Sequence, residues 1–185
     1  MMEIRVLREL TLDDLRRIAS GYCSARKYVV AYTESQNQVS FDLQLTALEE
    51  PLVRKYNHFD AATLARYHEI LQEDHSFGAY DGDLLIGFVI AEVRSWNRSL
   101  WVNEFHVAAD RRNSGIGKRL MQAVTERAER AGLRTIVCET QNTNAAAIMV
   151  YRRLGFRMEG VDISHYSNAD YPDGEIAVFM KRGLQ

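Results

Sequence analysis

The clearest periodicity in the chain lies between residues 116 and 131. Apolar side chains recur at Ile116, Leu120, Met121, Val124, Ala128 and Ala131, while Lys118, Arg119, Gln122, Glu126, Arg127, Glu129 and Arg130 fill the other face. This spacing predicts an amphipathic helix stopped at Gly132. Before it, residues 101–107 are β-branched and aromatic and read as a strand. After it, residues 133–139 are almost continuously apolar and read as a buried strand beside the first. A helix between two strands implies that they run parallel. A short helix follows over residues 144–154, ended by Gly155. Residues 156–164 and 175–182 form closing strands around the turn-rich stretch 167–174.

Toward the N-terminus the pattern is more broken. Residues 4–10 read as a strand, followed by a short helix with Thr11 as its N-cap and Asp13 and Asp14 near its positive end. Residues 28–38 show no clear period. Val39, Phe41, Leu43 and Leu45 alternate with polar residues, as in a strand or extended arm. Pro51 is expected to begin a helical segment running through Tyr67 and Leu71, interrupted near Asn57. Asp81-Gly82 marks a hairpin between residues 76–80 and 84–93, and a second reversal at residues 95–98 leads back to the 101–107 strand. The expected fold is one α/β domain over residues 1–185 with a mixed, largely antiparallel sheet.

Composition narrows the function. A chain of 185 residues, 46% hydrophobic and 26% charged, suits one core of ordinary size. Its net charge of −2 and the lack of a basic run with interleaved aromatics argue against a nucleic-acid partner. Cys23 and Cys138 are isolated, and the five histidines lack metal-site spacing, so neither a disulfide nor a metal is expected. No apolar run approaches membrane-spanning length, and the charged N-terminus has no apolar signal segment, so the expectation is a cytoplasmic protein.

The candidate chemistry sits at Asp110-Arg111-Arg112-Asn113-Ser114-Gly115-Ile116-Gly117-Lys118, between strand and helix. A glycine turn there leaves the first N–H groups of the helix pointing outward with the helix dipole behind them, a site suited to phosphate. Gly115 and Gly117 remove Cβ atoms that would hold a pyrophosphate away. A dinucleotide fingerprint would need a glycine where Leu120 stands, and an ATPase-type phosphate loop would need Ser or Thr where Arg119 stands.

Arg112-x-x-Gly115-x-Gly117 instead resembles the pyrophosphate loop of the GNAT N-acetyltransferases. Glu139-Thr140-Gln141-x-x-Asn144-x-x-Ala147-x-x-x-Tyr151-x-x-x-Gly155-Phe156 is similar to the second half of that family's core. A narrower likeness, to streptothricin acetyltransferases, rests on Trp96-Asn97-Arg98, Glu139-Thr140-Gln141, Gly160-Val161-Asp162, Tyr166-Ser167-Asn168 and the strand Glu175-Ile176-Ala177-Val178-Phe179. Two departures stand out: Asn103-Glu104-Phe105-His106 replaces the usual acidic-acidic-aliphatic pattern, and Ser114 stands where a basic residue is common.

The resemblance implies a sheet whose central strand splays from its parallel neighbour, with flanking helices and with acetyl-coenzyme A entering the gap like an added strand. It assigns cofactor contacts to the backbones of Phe105 and Val107, with the Phe105 N–H stabilising the oxyanion. It assigns the pyrophosphate to Arg112, Asn113, Ser114, Gly115, Gly117 and Lys118, with Asn144 and Tyr151 also at the cofactor. Tyr151 would protonate the leaving thiolate. An N-cap role for Asn144 and a core role for Tyr151 are the competing readings. Glu104 and His106 share a strand face by alternation, and either could accept the amine proton. Glu104 is preferred because it would also attract a cation, while Glu139 fits a structural carboxylate better. Asp162, Tyr166 and Asn168 are candidates for lining the acceptor pocket, where His106 and Glu104 also count. The implied activity is transfer of acetyl to a primary amine of a small cationic molecule, streptothricin-like. The alternatives are a protein lysine or N-terminal amine as acceptor, or a coenzyme A sensor without turnover. A homodimer is one option for its assembly.

Overall fold

A computed structural model describes residues 2–185. In chain order its elements are β1 (Met2–Val6), α1 (Leu12–Ile18), β2 (Tyr22–Ser35), β3 (Gln38–Arg54), α2 (Ala61–Leu71), β4 (Phe77–Asp81), β5 (Leu84–Arg94), β6 (Ser99–Val107), α3 (Ile116–Arg130), β7 (Thr135–Gln141), α4 (Ala145–Arg153), β8 (Arg157–Asp162) and β9 (Ala177–Gly183). The chain divides into two compact units. One comprises the segment ending at Gly21, Lys55–Cys138 and Arg182–Gln185; the other comprises Tyr22–Arg54 and Glu139–Lys181.

The first unit is built on strands in the order β1-β4-β5-β6-β7. All neighbours are antiparallel except β6 and β7, which run parallel as the intervening helix requires. The parallel register spans Ser99↔Thr135 to Val102↔Cys138, whereas the antiparallel register with β5 continues to Val107. The two central strands therefore part company halfway along β6. A bulge falls at the same place, because Ile90 faces Glu104 while Ala91 faces Val102, leaving Asn103 as the extra residue. One core gathers Leu15 and Ile18 of α1, Tyr67, Ile70 and Leu71 of α2, and Phe88 and Ile90 of β5. The stripe on α3 supplies Leu120, Met121, Val124 and Ala128, all fully buried. Thr11 caps α1 as expected, in a reciprocal capping box with Asp14.

The second unit holds the long antiparallel ribbon β2–β3, the helix α4 and the antiparallel pair β8–β9. Buried Asn142 ties its parts together. Its backbone and side chain bond Tyr28 (Tyr28 N to Asn142 O, 2.9 Å; Asn142 Nδ2 to Tyr28 O, 2.8 Å). They also bond Ile176 (Asn142 N to Ile176 O, 2.8 Å; Ile176 N to Asn142 Oδ1, 2.8 Å). Asn142→Ala would orphan two buried backbone groups, and a loss of about 2 kcal/mol is expected by urea unfolding.

Three expectations are corrected here. The first strand ends at Val6, and Leu7 and Leu10 are buried in the connection that follows. Residues 28–38 belong to β2, its turn and the start of β3, in a ribbon whose long strands expose much of their surface. Pro51 starts no helix: it lies in β3 where the register slips between Ser24↔Leu52 and Arg26↔Ala47, a place where its missing N–H costs little. The helix begins ten residues later at Ala61, capped by the Asp60 carboxylate, which accepts from Thr63 N at 2.8 Å.

Candidate active site

The loop between β6 and α3 has the form that anion binding needs. Gly115 is the N-cap of α3 at φ +83°, and no side chain caps the helix. A Cβ on Gly115 would meet nothing within 4 Å, so the approach to the helix N-terminus is open. Asn113 is also left-handed, at φ 61°. Gly117 has a second reason to be glycine: a Cβ there would stand 3.2 Å from Phe105 Cζ and 3.9 Å from Val107 Cγ2, so α3 lies close over β6. The Arg112 guanidinium is used internally, Nε donating to Val107 O and Nη2 to Gly21 O, each at 3.1 Å. It clamps the loop to the end of β6, and the Ser114 hydroxyl donates to Arg111 O. Lys118 is exposed on the first turn of α3. On the bulge, the Asn103 Nδ2 is buried without a partner among the described residues.

Glu104 and His106 are indeed neighbours on one face of β6, with His106 Nε2 2.6 Å from Glu104 Oε2. The other carboxylate oxygen, Oε1, accepts from the Tyr67 hydroxyl of α2. The Glu104 side chain is 14% exposed, and burial alone would raise its pKa. The hydrogen bond and charge of His106, the Tyr67 hydroxyl and the charge of His58 overcome this and hold the carboxyl below its ordinary range. Burial, together with the Glu104 charge, pushes the Tyr67 phenol well up, so it stays a donor. The His106 ring is edged by Tyr56 at 5.7 Å and tilted against Phe88 at 5.5 Å. Tyr56 and His58 lie in the connection before α2, where the pattern predicts helix, and the partner of Tyr67 depends on how α2 packs, so the sequence singles out none of the three. An apolar face of α2 placing Tyr67 with Ile70 and Leu71 would have been the signal.

In the second unit Asn144 is the N-cap of α4, its Oδ1 accepting from Ala147 N at 3.2 Å. Tyr151 lies on α4, 7% exposed, its ring 5.5 Å from that of Phe156. The Tyr166 hydroxyl donates to Glu139 Oε1, and burial with the Glu139 charge pushes its pKa well up. Tyr166 is positioned by Asp170, which accepts from Tyr166 N at 2.7 Å and from Ser167 Oγ at 2.6 Å. Asp162 serves its own turn, accepting from Ser164 N at 3.0 Å and facing His165 at 3.6 Å. Asn168 is exposed in the same loop. A polar cluster not anticipated from sequence joins Tyr22, Thr143, Glu175 and Arg54: Thr143 Oγ1 donates to Glu175 Oε1 at 3.0 Å, and Arg54 pairs with Oε2 at 3.1 Å.

A parallel pair that parts beside an uncapped, glycine-opened helix defines an acyltransferase fold, and residues 41–156 match the model of the acetyltransferase (GNAT) family. The chain belongs to that family. It is 37% identical over 100 residues to a streptothricin acetyltransferase of Streptomyces lavendulae, a match covering 54% of this chain and about half (52%) of that protein's length. The structure of a nourseothricin acetyltransferase superposes with a TM-score of 0.74 at 28% identity, covering 100% of this chain and 99% of that one. A structure from Bacillus anthracis str. Ames, solved in complex with acetyl coenzyme A, shares the fold with a TM-score of 0.78 at 21% identity, covering 100% and 99%. No described helix is long and apolar enough to cross a membrane.

Proposed function

We propose that this protein transfers acetyl from acetyl-coenzyme A to a primary amine of a small cationic molecule of the streptothricin type. The observation that carries the reading is the pairing, within one unit, of an uncapped helix N-terminus with the half-buried carboxylate–imidazole pair on the adjacent strand. The first suits a pyrophosphate, and the second attracts a cation and can take its proton. The likeness to a streptothricin acetyltransferase and to a nourseothricin acetyltransferase supports the acceptor class.

The open N-terminus of α3 and the orphaned Asn103 amide fit coenzyme A. The N–H groups of residues 115–118 would hold the pyrophosphate, Lys118 would add charge, and the backbones of Phe105 and Val107 would meet the pantetheine arm. Bound there, acetyl-coenzyme A supplies an activated acetyl thioester. The chain's task is then to orient the amine and remove its proton. An alkyl ammonium has a reference pKa near 10.4, so neutralising it at pH 7 costs about 4–5 kcal/mol, which the Glu104–His106 pair offsets. Tyr151 is assigned as the acid for the departing thiolate.

Gly117→Val tests the loop. The side chain would crowd Phe105 as well as the ligand, so a lower Tm and an at least tenfold loss of coenzyme A affinity by calorimetric titration are expected. A full-affinity variant would remove the loop from the site. The function itself is tested by following free thiol with an amine panel: release with β-lysine amides supports the proposed acceptor, and release with peptides alone points to a protein amine instead.

A further inference from the structure

We propose that His106 is the group that takes the proton from the substrate ammonium, with Glu104 as its hydrogen-bonded carboxylate partner and Tyr67 as the positioning residue that holds Glu104. The assignment rests on the acetyl-transfer reading above and says which member of the pair does the chemistry.

Both oxygens of Glu104 are already engaged, Oε1 by the Tyr67 hydroxyl and Oε2 by His106 Nε2 at 2.6 Å. An ionised carboxylate only accepts, so the imidazole proton must sit on Nε2. The lone pair is then on Nδ1. Among the described residues that atom has no hydrogen-bond partner, and it is not one of the buried polar atoms left unsatisfied, so it is open to solvent. Tyr56 and Phe88 fix the plane of the ring. The ring meets Glu104 on its own strand, Phe88 on β5 and Tyr56 before α2, while Tyr67 on α2 and His58 act on Glu104.

Acid–base strength points the same way. An ordinary carboxylate lies about 6 pKa units below an alkyl ammonium and an ordinary imidazole about 4, a hundredfold difference in favour of the imidazole. The interactions that keep Glu104 ionised widen its disadvantage as an acceptor. The arrangement has the logic of a carboxylate that orients an imidazole and stabilises the imidazolium without itself being protonated. Nδ1 takes one proton from the ammonium, directly or through one water, leaving a neutral amine and an imidazolium. The amine nitrogen forms a bond to the acetyl carbon, the carbon–sulfur bond breaks with its electron pair on sulfur, and the nitrogen loses a second proton. The thiolate gains one proton, and the imidazolium returns its own to solvent.

Two measurements test this. The first compares the wild type, His106→Asn and Tyr67→Phe on amines of decreasing pKa, with coenzyme A affinity measured alongside. His106→Asn should lose about two decades of kcat on alkyl amines and only a few-fold on amines already neutral at the assay pH, with coenzyme A affinity unchanged. Tyr67→Phe should lower kcat three- to tenfold without raising KM, and should shift the acid limb of the pH profile upward. A loss independent of amine pKa overturns the assignment alone. Absence of thiol release by the wild type with every amine overturns the acetyl-transfer reading and the assignment with it. The second measurement needs no turnover: nitrogen-15 NMR of His106 should show a protonated Nε2 and a bare Nδ1 near neutral pH, and the reverse tautomer overturns the proposal even if both variants are too unstable to assay.

Discussion

Replacing Tyr151 with phenylalanine is expected to lower kcat by roughly one to three decades, overlapping the lower part of the range for losing a general acid, while leaving the fold and most of the acetyl-coenzyme A affinity intact. The departing thiolate has a cysteine-like reference pKa of about 8.5 and a tyrosine one of about 10, so proton transfer is uphill by about 2 kcal/mol. An apolar environment around the sulfur raises its pKa and narrows the gap. The substitution keeps the ring, and with it the contact to Phe156. Turnover measured by thiol release under conditions where chemistry limits the rate, with thermal unfolding alongside, separates the two roles. A normal kcat would reduce Tyr151 to a packing residue of α4, and loss of folding would show its hydroxyl to be a structural partner.

Glu104→Gln is expected to cost two to three decades in kcat/KM, the largest effect of any substitution on β6. The change keeps the shape of the side chain and an acceptor oxygen for Tyr67, but removes the carboxylate charge beside His106 that the proposed function uses to attract the substrate ammonium. The same charge makes a pH prediction. The folded pKa of Glu104 is depressed, so its contribution to stability is complete above the ordinary glutamate value of about 4.3 and is lost as pH falls through the lower folded value. Acid unfolding curves of wild type and variant should therefore converge at low pH, separate as pH rises toward about 4.3, and stay a constant distance apart above it. Parallel curves over the whole range would show that the ionised form gains nothing from folding.

The part of the fold around α3 was legible because each element there has a single face to bury. The stripe from Ile116 to Ala128 and the apolar run of β7 leave little choice of register, and the turn at Asp81-Gly82 ends one strand and starts the next. The ribbon β2–β3 was legible only in part: the alternation from Val39 to Leu45 marked a stretch that lies in β3, whereas β2 showed no clear period, and Val29, Val39 and Phe41 stay substantially exposed. Pro51 misled because a proline that opens a helix and a proline at a strand irregularity look the same without the partner strand.

The candidate site divides the same way. Period-two alternation put Glu104 and His106 side by side, and the glycine spacing located the open end of α3. Asn144 followed its simplest reading as a helix cap. The face that Tyr67 shares with Ile70 and Leu71 marks it as a core position, but its bond to Glu104 spans 37 residues of sequence and depends on how α2 packs. Arg112 shows the opposite limit: its pattern marks the loop, but its donation to the carbonyls of Val107 and Gly21, which clamps the loop, depends on the fold and not on the pattern.

The central claim is acetyl transfer to a small cationic amine, and the most direct test is to mix the wild-type protein with acetyl-coenzyme A and a panel of amines while following free thiol and the mass of the acceptor. The account predicts thiol release matched one-for-one by an acceptor gaining a single acetyl group, fastest with amides of β-lysine. Tight binding of acetyl-coenzyme A with no thiol release for any amine would contradict it.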